Sequence, residues 1–214
     1  MRVLILIGAA ALAFTAINPA LGQRIQTPNK VDGIIRLQPY VRCDDFAEGV
    51  RGVKLDGRPK DAEPWREVSV GSTKRRVSVV HGYRVMYAYP STDFFANLKA
   101  EQSDPAKYGE DKATLKLSLS EIGRAEGSAD VKEFKVEGVM GQTLTKRALT
   151  GSTVGITQIF FDKDSVIVTI YFLNQTPNKR KFKTYEEFVS LRDKFIEGYA
   201  ECVANKRLIP LLLQ

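Results

Sequence analysis

Cys43, Cys202 and His81 are the residues of this chain best suited to covalent or acid–base chemistry, since its 214 positions hold only two cysteines and one histidine. A thiolate served by an imidazole base is a nucleophile. Two thiols can instead close a disulfide, or pack as small apolar groups. A metal site asks for three or four soft or imidazole ligands at short spacing, whereas these residues are scattered along the chain, which argues against one. A lipid anchor would need its cysteine directly after a leader in a small-residue setting; Cys43 follows Val41-Arg42, far beyond the N-terminal apolar stretch.

The remaining chemical signals are weaker. His81 stands at a strand end beside Gly82, where a local hydrogen bond or solvent explains it, and no GxSxG elbow accompanies it: GSTVG, Gly151 to Gly155, has its serine in the wrong register. Neither GxGxxG nor GxxxxGK[ST] occurs, so no nucleotide fingerprint is present. Asp44-Asp45 and Asp162-Lys163-Asp164 supply paired carboxylates without the spacing of a calcium loop, and a turn and a solvated loop account for both. Carboxylates that converge only in three dimensions, or His81, leave a secreted hydrolase as the alternative. No catalytic residue, metal ligand or cofactor is assigned.

Compartment decides between the readings of the cysteines. MRVLILIGAAALAFTAINPALGQ has a basic start at Arg2, an apolar stretch from Val3 to Ile17, Pro19, and small residues at Ala20 and Gly22. That is the pattern of a secretory signal peptide. The apolar stretch is shorter than the roughly 20 residues that span a bilayer. Cleavage is expected after Gly22, giving a periplasmic or secreted protein beginning at Gln23. In an oxidising compartment an even cysteine count favours a Cys43–Cys202 disulfide. Two buried free thiols, or a reactive thiol, remain the other readings.

Net charge is +7, with 32 Lys and Arg against 25 Asp and Glu, and Arg2 departs with the leader. Export removes cellular nucleic acid as a natural partner, and so small an excess serves solubility or attraction to anionic surfaces. The densest basic run, Lys179, Arg180, Lys181 and Lys183, precedes the last apolar-periodic segment. It could make weak peripheral contact with an anionic membrane or cell-wall polymer, although most such runs are solvated loops.

The elements that must position these residues read as follows. Segment 1–22 is the leader, and 23–66 an extended lead-in to Pro39 followed by a Gly- and Pro-rich loop from Glu48 to Trp65. An α+β domain occupies 67–207, with a tail at 208–214. In YRVMYAYP, Tyr83, Val85, Tyr87 and Tyr89 share one face and Arg84, Met86 and Ala88 the other. FFANLKAEQ alternates too, with Phe95, Leu98 and Ala100 the expected buried residues.

Asp104-Pro105 looks like a helix start. The helix it opens competes with a strand reading of Leu115, Leu117 and Leu119, and the stop from Gly123 to Gly127 favours helix. EFKVEGV, GQTLTKRAL and the hairpin ITQIFFDKDSVIVTIYFL are strands, with Val166 to Leu173 apolar on both faces as in a central strand covered on both sides. Thr184 and Glu187 form a capping box. Phe188, Leu191, Phe195, Tyr199 and Cys202 then recur on one helical face, which turns Cys202 inward.

The fold class expected is therefore α+β: a mostly antiparallel sheet with a middle helix and a C-terminal helix packed on it. YRVMYAYP running into FFANLKAEQ, the middle helix, VEGVMGQTL, the long hairpin and TYEEFVSLRDKFIEGY together resemble the PsbP-like α/β/α sandwich from Val77 to Val203. That family includes an extrinsic photosystem subunit and many small exported bacterial proteins. The resemblance implies a non-catalytic binding or accessory module, partnered by a protein or envelope component.

Overall fold

The computed structural model describes residues 30–43, 51–58, 62–88, 94–127, 129–149, 151–174 and 182–212. The expected leader, Asp44, Asp45, Lys179, Arg180 and Lys181 lie outside them. Among the described residues no helix is long and apolar enough to cross a membrane.

Helix α1, Lys30–Val41, replaces the extended lead-in, and strand β1, Arg51–Gly57, runs through the expected loop. Gly33 and Pro39 both lower helix propensity, so local preference does not explain α1. Its burial does: Leu37, Tyr40 and Val41, at steps of three and one on a single face, are at most 2% exposed. The Tyr199 hydroxyl also donates to the Tyr40 carbonyl at 2.8 Å. The domain consequently begins with α1 and β1 and not at residue 67.

Strands β2, Trp65–Val70, and β3, Thr73–Ser78, form a separate antiparallel hairpin. Strands β4, His81–Ala88, β5, Phe94–Gln102, β6, Ala129–Val136, β7, Val139–Lys146, β8, Thr153–Phe161, and β9, Val166–Asn174, complete the main sheet. Its seven strands follow the order β1-β4-β5-β9-β8-β7-β6, every neighbour antiparallel. The α+β expectation holds. Strand β9 lies at the centre, and its residues Val166 to Ile170 are all buried, as a run apolar on both faces requires. In β5 the buried set is Phe94, Ala96, Leu98 and Ala100, so Phe95 faces the other way from the expected register.

The middle segment is helical: α2 spans Tyr108–Glu126. Asp104 does not cap it. Its carboxylate accepts from the Ala106 amide at 3.0 Å and its carbonyl from the Lys107 amide at 2.9 Å, which closes a turn ahead of the helix. Gly127, at φ 60°, takes the left-handed position that ends α2. Helix α3, Tyr185–Leu212, runs through the segment expected to be a tail. Thr184 accepts from the Glu187 amide at 3.1 Å, while the Glu187 carboxylate accepts from the Lys183 amide at 2.8 Å, one residue before the cap.

The layers follow from side-chain alternation. Helices α1 and α3 cover one face of the sheet, where Phe94, Phe172, Phe182, Phe188 and Phe195 pack mostly edge to face. Helix α2 and the β2–β3 hairpin lie on the other, with Val68, Val77, Tyr108, Leu115, Phe160 and Ile167 as a smaller core.

Candidate functional site

On the α2 face, Arg84, Lys99, Thr169, Gln158, Gln142 and Glu133 stand in cross-strand register on β4, β5, β9, β8, β7 and β6. Each strand contributes one polar residue, and together they cross the sheet as a single row. Thr169, Gln158 and Gln142 are no more than 5% exposed. Buried polar groups cost free energy unless they are paired, and most of the row is. Gln142 Nε2 donates to Gln158 Oε1 at 2.8 Å and to the Lys116 carbonyl at 3.3 Å, and Glu133 pairs with Lys116. The Thr169 hydroxyl oxygen is the exception: it is buried without a hydrogen-bond partner among the described residues.

Beyond Lys99 the row opens into a cavity of about 270 Å³ lined by Gly57, Arg58, Val79, Gly82, Tyr83, Arg84, Lys99 and Glu101. Gly82 sits opposite Glu101 on β5, and its carbonyl accepts from the Arg58 amide at 2.8 Å. A Cβ at Gly82 would stand 3.3 Å from Val79 Cγ1 and 3.8 Å from Arg58 Cδ. The missing side chain is what leaves this floor open.

The cavity is a cationic one. Glu101, 9% exposed, is its buried carboxylate, and Arg66 from β2 occupies both its oxygens: Nε lies 2.8 Å from Oε1 and Nη2 2.7 Å from Oε2. Burial works against the charge of Arg66, yet the Glu101 carboxylate and its hydrogen bonds raise the guanidinium pKa overall. With Glu101 so engaged, Arg58, Arg84 and Lys99 line the rest. Arg58 donates to the Trp65 carbonyl at 2.9 Å, and desolvation lowers its pKa.

Lys99 is held down in the same way, first by desolvation and then by Arg66 and Arg84, against the pull of Glu101. Its ammonium lies 5.1 Å from the Tyr171 ring centroid, and among the described residues it makes no ion pair. Arg84 and Lys99 are directly opposed across β4 and β5, where like charges destabilise a sheet. Asp56 of β1 stands on the far side of Arg84 in register.

The residues singled out in the sequence do not meet here. Cys43, two residues beyond α1, and Cys202 of α3 form a disulfide, Cα atoms 5.9 Å apart, and no free cysteine is present. The free-thiol and reactive-thiol readings are thereby replaced. His81 opens β4 opposite Gln102, shares the face of Tyr83, Val85 and Tyr87, and is not among the residues that line the cavity. Ser152 of GSTVG is exposed ahead of β8, its carbonyl accepting from the Asn174 amide at 2.9 Å.

Asp162 accepts from Tyr108 at 2.7 Å and from Lys112 at 2.8 Å, and Asp164 accepts from Tyr40. Of the basic run, Lys183 is described and exposed. No three His, Cys, Asp or Glu side chains converge as metal ligands among the described residues. Sequence reasoning missed Arg58, Arg66, Lys99 and Glu101, because a charged residue in a loop or on the polar face of an alternating strand looks like a solvated one. The signal available was Arg84 and Lys99 in strands that pair.

Comparisons with protein-family models, with curated proteins and with solved structures return no match.

Proposed function

We propose that the chain is an exported, non-catalytic binding module whose ligand presents an anionic group to the cavity between β1, β4 and β5. The observation that carries this reading is Lys99. Keeping a desolvated ammonium beside Arg84 and Arg66, with Glu101 offsetting only part of the penalty, costs stability that an apolar residue would not. A bound anion recovers that cost by supplying the missing charge. Arg58 adds a second donor group, and the vacant Cβ position of Gly82 leaves room for the ligand. Export rests on the leader and on a disulfide of the kind that persists in oxidising compartments. The element order, similar to the PsbP-like sandwich, supports an accessory role.

The test is a titration of the purified mature protein with sodium phosphate and with sodium acetate, followed by amide chemical shifts. Saturable shifts at Gly82 and Lys99 are expected. Lys99→Met should weaken them about tenfold or more, the value of one charge-assisted hydrogen bond. Non-saturable or scattered shifts in the wild type would remove the reading.

A further inference from the structure

We infer that the ligand of this cavity is an amphipathic organic carboxylate whose apolar part lies along the sheet beside Lys99. The inference rests on the anion-binding reading and extends it to ligand class. Two residues before Lys99 on β5 stands Asn97, with Met86 of β4 on one side of it and Tyr171 of β9 on the other. Two residues further along, Phe95 stands between Ala88 and Leu173. All six are only partly buried.

Helix α2 packs on β2, β3, β6 and β7 and leaves this end of the β4–β5–β9 surface to other neighbours. The face therefore changes character over one strand length: cations at Arg58, Arg84 and Lys99, then a strip of Met, Tyr, Phe and Leu. At about 3.3 Å per residue, Lys99 and Phe95 lie roughly 13 Å apart along β5. That is the reach of a medium-length carboxylic acid with its head at Lys99.

Charge complementarity selects the occupant. A neutral apolar partner would supply no counter-charge to the Lys99 ammonium, and a small inorganic anion would make no contact with the strip. Asn97 Oδ1, buried and without a partner among the described residues, is an acceptor between head and tail. It adds a place for a hydroxyl or amide N–H on the ligand.

Octanoate, acetate and the neutral octyl glucoside are the probes, titrated into the mature protein by calorimetry and by amide shifts. Each methylene that reaches the strip should tighten binding about fourfold, so octanoate is expected to bind at least about thirtyfold tighter than acetate. Phe95→Ser should remove that gain while leaving acetate binding intact. Lys99→Met should weaken both acids.

Equal affinities for acetate and octanoate would overturn the inference while leaving the anion site in place. Octyl glucoside binding as well as octanoate, or octanoate binding undiminished in Lys99→Met, would overturn it in favour of a neutral lipid-like occupant. Dimerisation that buries Phe95 in the absence of any probe would overturn it in favour of a second copy of the chain. Failure of both acids to bind would remove the parent reading as well.

Discussion

Asp162 and Asp164, two residues apart in the turn between β8 and β9, accept hydrogen bonds from opposite layers of the protein: Asp162 from Tyr108 of α2 and Asp164 from Tyr40 of α1. One tight turn at the end of the central hairpin thus ties down the helix on each face. The two carboxylates that a sequence reader would test for acid–base catalysis are occupied as acceptors. Burial and the Asp162 carboxylate push the Tyr108 hydroxyl pKa up, so it stays a donor.

The Asp162 tie has a pH signature. Partial burial works against its charge, but the hydrogen bonds from Lys112 and Tyr108 hold its pKa below the ordinary carboxylate value. A carboxylate depressed on folding contributes stability that is complete above its unfolded pKa of about 3.9 and lost as pH falls through the folded value. Thermal melts of wild type and Asp162→Asn should therefore differ at pH 6 and converge as the pH falls below the ordinary carboxylate range. The gap at pH 6 should be about 1 kcal/mol or less, because the side chain is largely exposed.

The disulfide closes a loop of sequence separation 159. Chain-entropy reasoning values such a closure at up to about 5 kcal/mol, through the unfolded state. Urea denaturation with and without reductant, and of the Cys43→Ala/Cys202→Ala variant, should show a midpoint lowered by a corresponding amount. An unchanged midpoint in both would mean that α1 is held by Leu37, Tyr40 and Val41 alone.

These contacts also explain which parts of the fold were legible in the sequence. Helix α3 announces itself through Phe188, Phe195 and Tyr199 at helical spacing behind a capping box, and β9 through an apolar run that only a central strand tolerates. Both signals are local. Helix α1 carries Gly33 and Pro39 and is stabilised by what it touches, Tyr199 and Cys202, some 160 residues away in sequence, so local pattern alone misses it. The polar row was hidden for a related reason. Arg84, Lys99, Thr169, Gln158 and Gln142 are ordinary one at a time, and become a site only through a register set by antiparallel pairing across the sheet.

Gly141 and Gly109 should respond oppositely to a methyl group. A Cβ on Gly141 of β7 would collide with the Phe134 ring and stand 2.5 Å from the Gln158 carbonyl oxygen, which belongs to the adjacent strand. Gly141→Ala is expected to cost about 3 kcal/mol, as other overpacked core positions do. A Cβ on Gly109 of α2 would meet no atom within 4 Å among the described residues, its chain neighbours and the helix's own backbone aside. Gly109→Ala should stabilise by about 0.5–1 kcal/mol through helix propensity. Chemical denaturation of the two single variants measures both.

Lys99 brings stability and function into direct opposition. Desolvation, with the neighbouring Arg66 and Arg84, outweighs the attraction of Glu101 and disfavours its charge in the folded state, so removing the ammonium while keeping its apolar stem should raise the melting temperature. Lys99→Met does this, and it should also weaken the anion response about tenfold or more. The sign of the pH effect follows from the lowered pKa. The folded protein gives up this proton at a lower pH than the unfolded chain, whose lysines titrate near about 10.4, so stability rises as pH increases between the two values. The melting advantage of Lys99→Met over wild type should accordingly be largest at neutral pH and shrink toward about pH 10. An advantage independent of pH would locate the cost in packing and not in charge, and the case for a bound anion at Lys99 would lose its electrostatic basis.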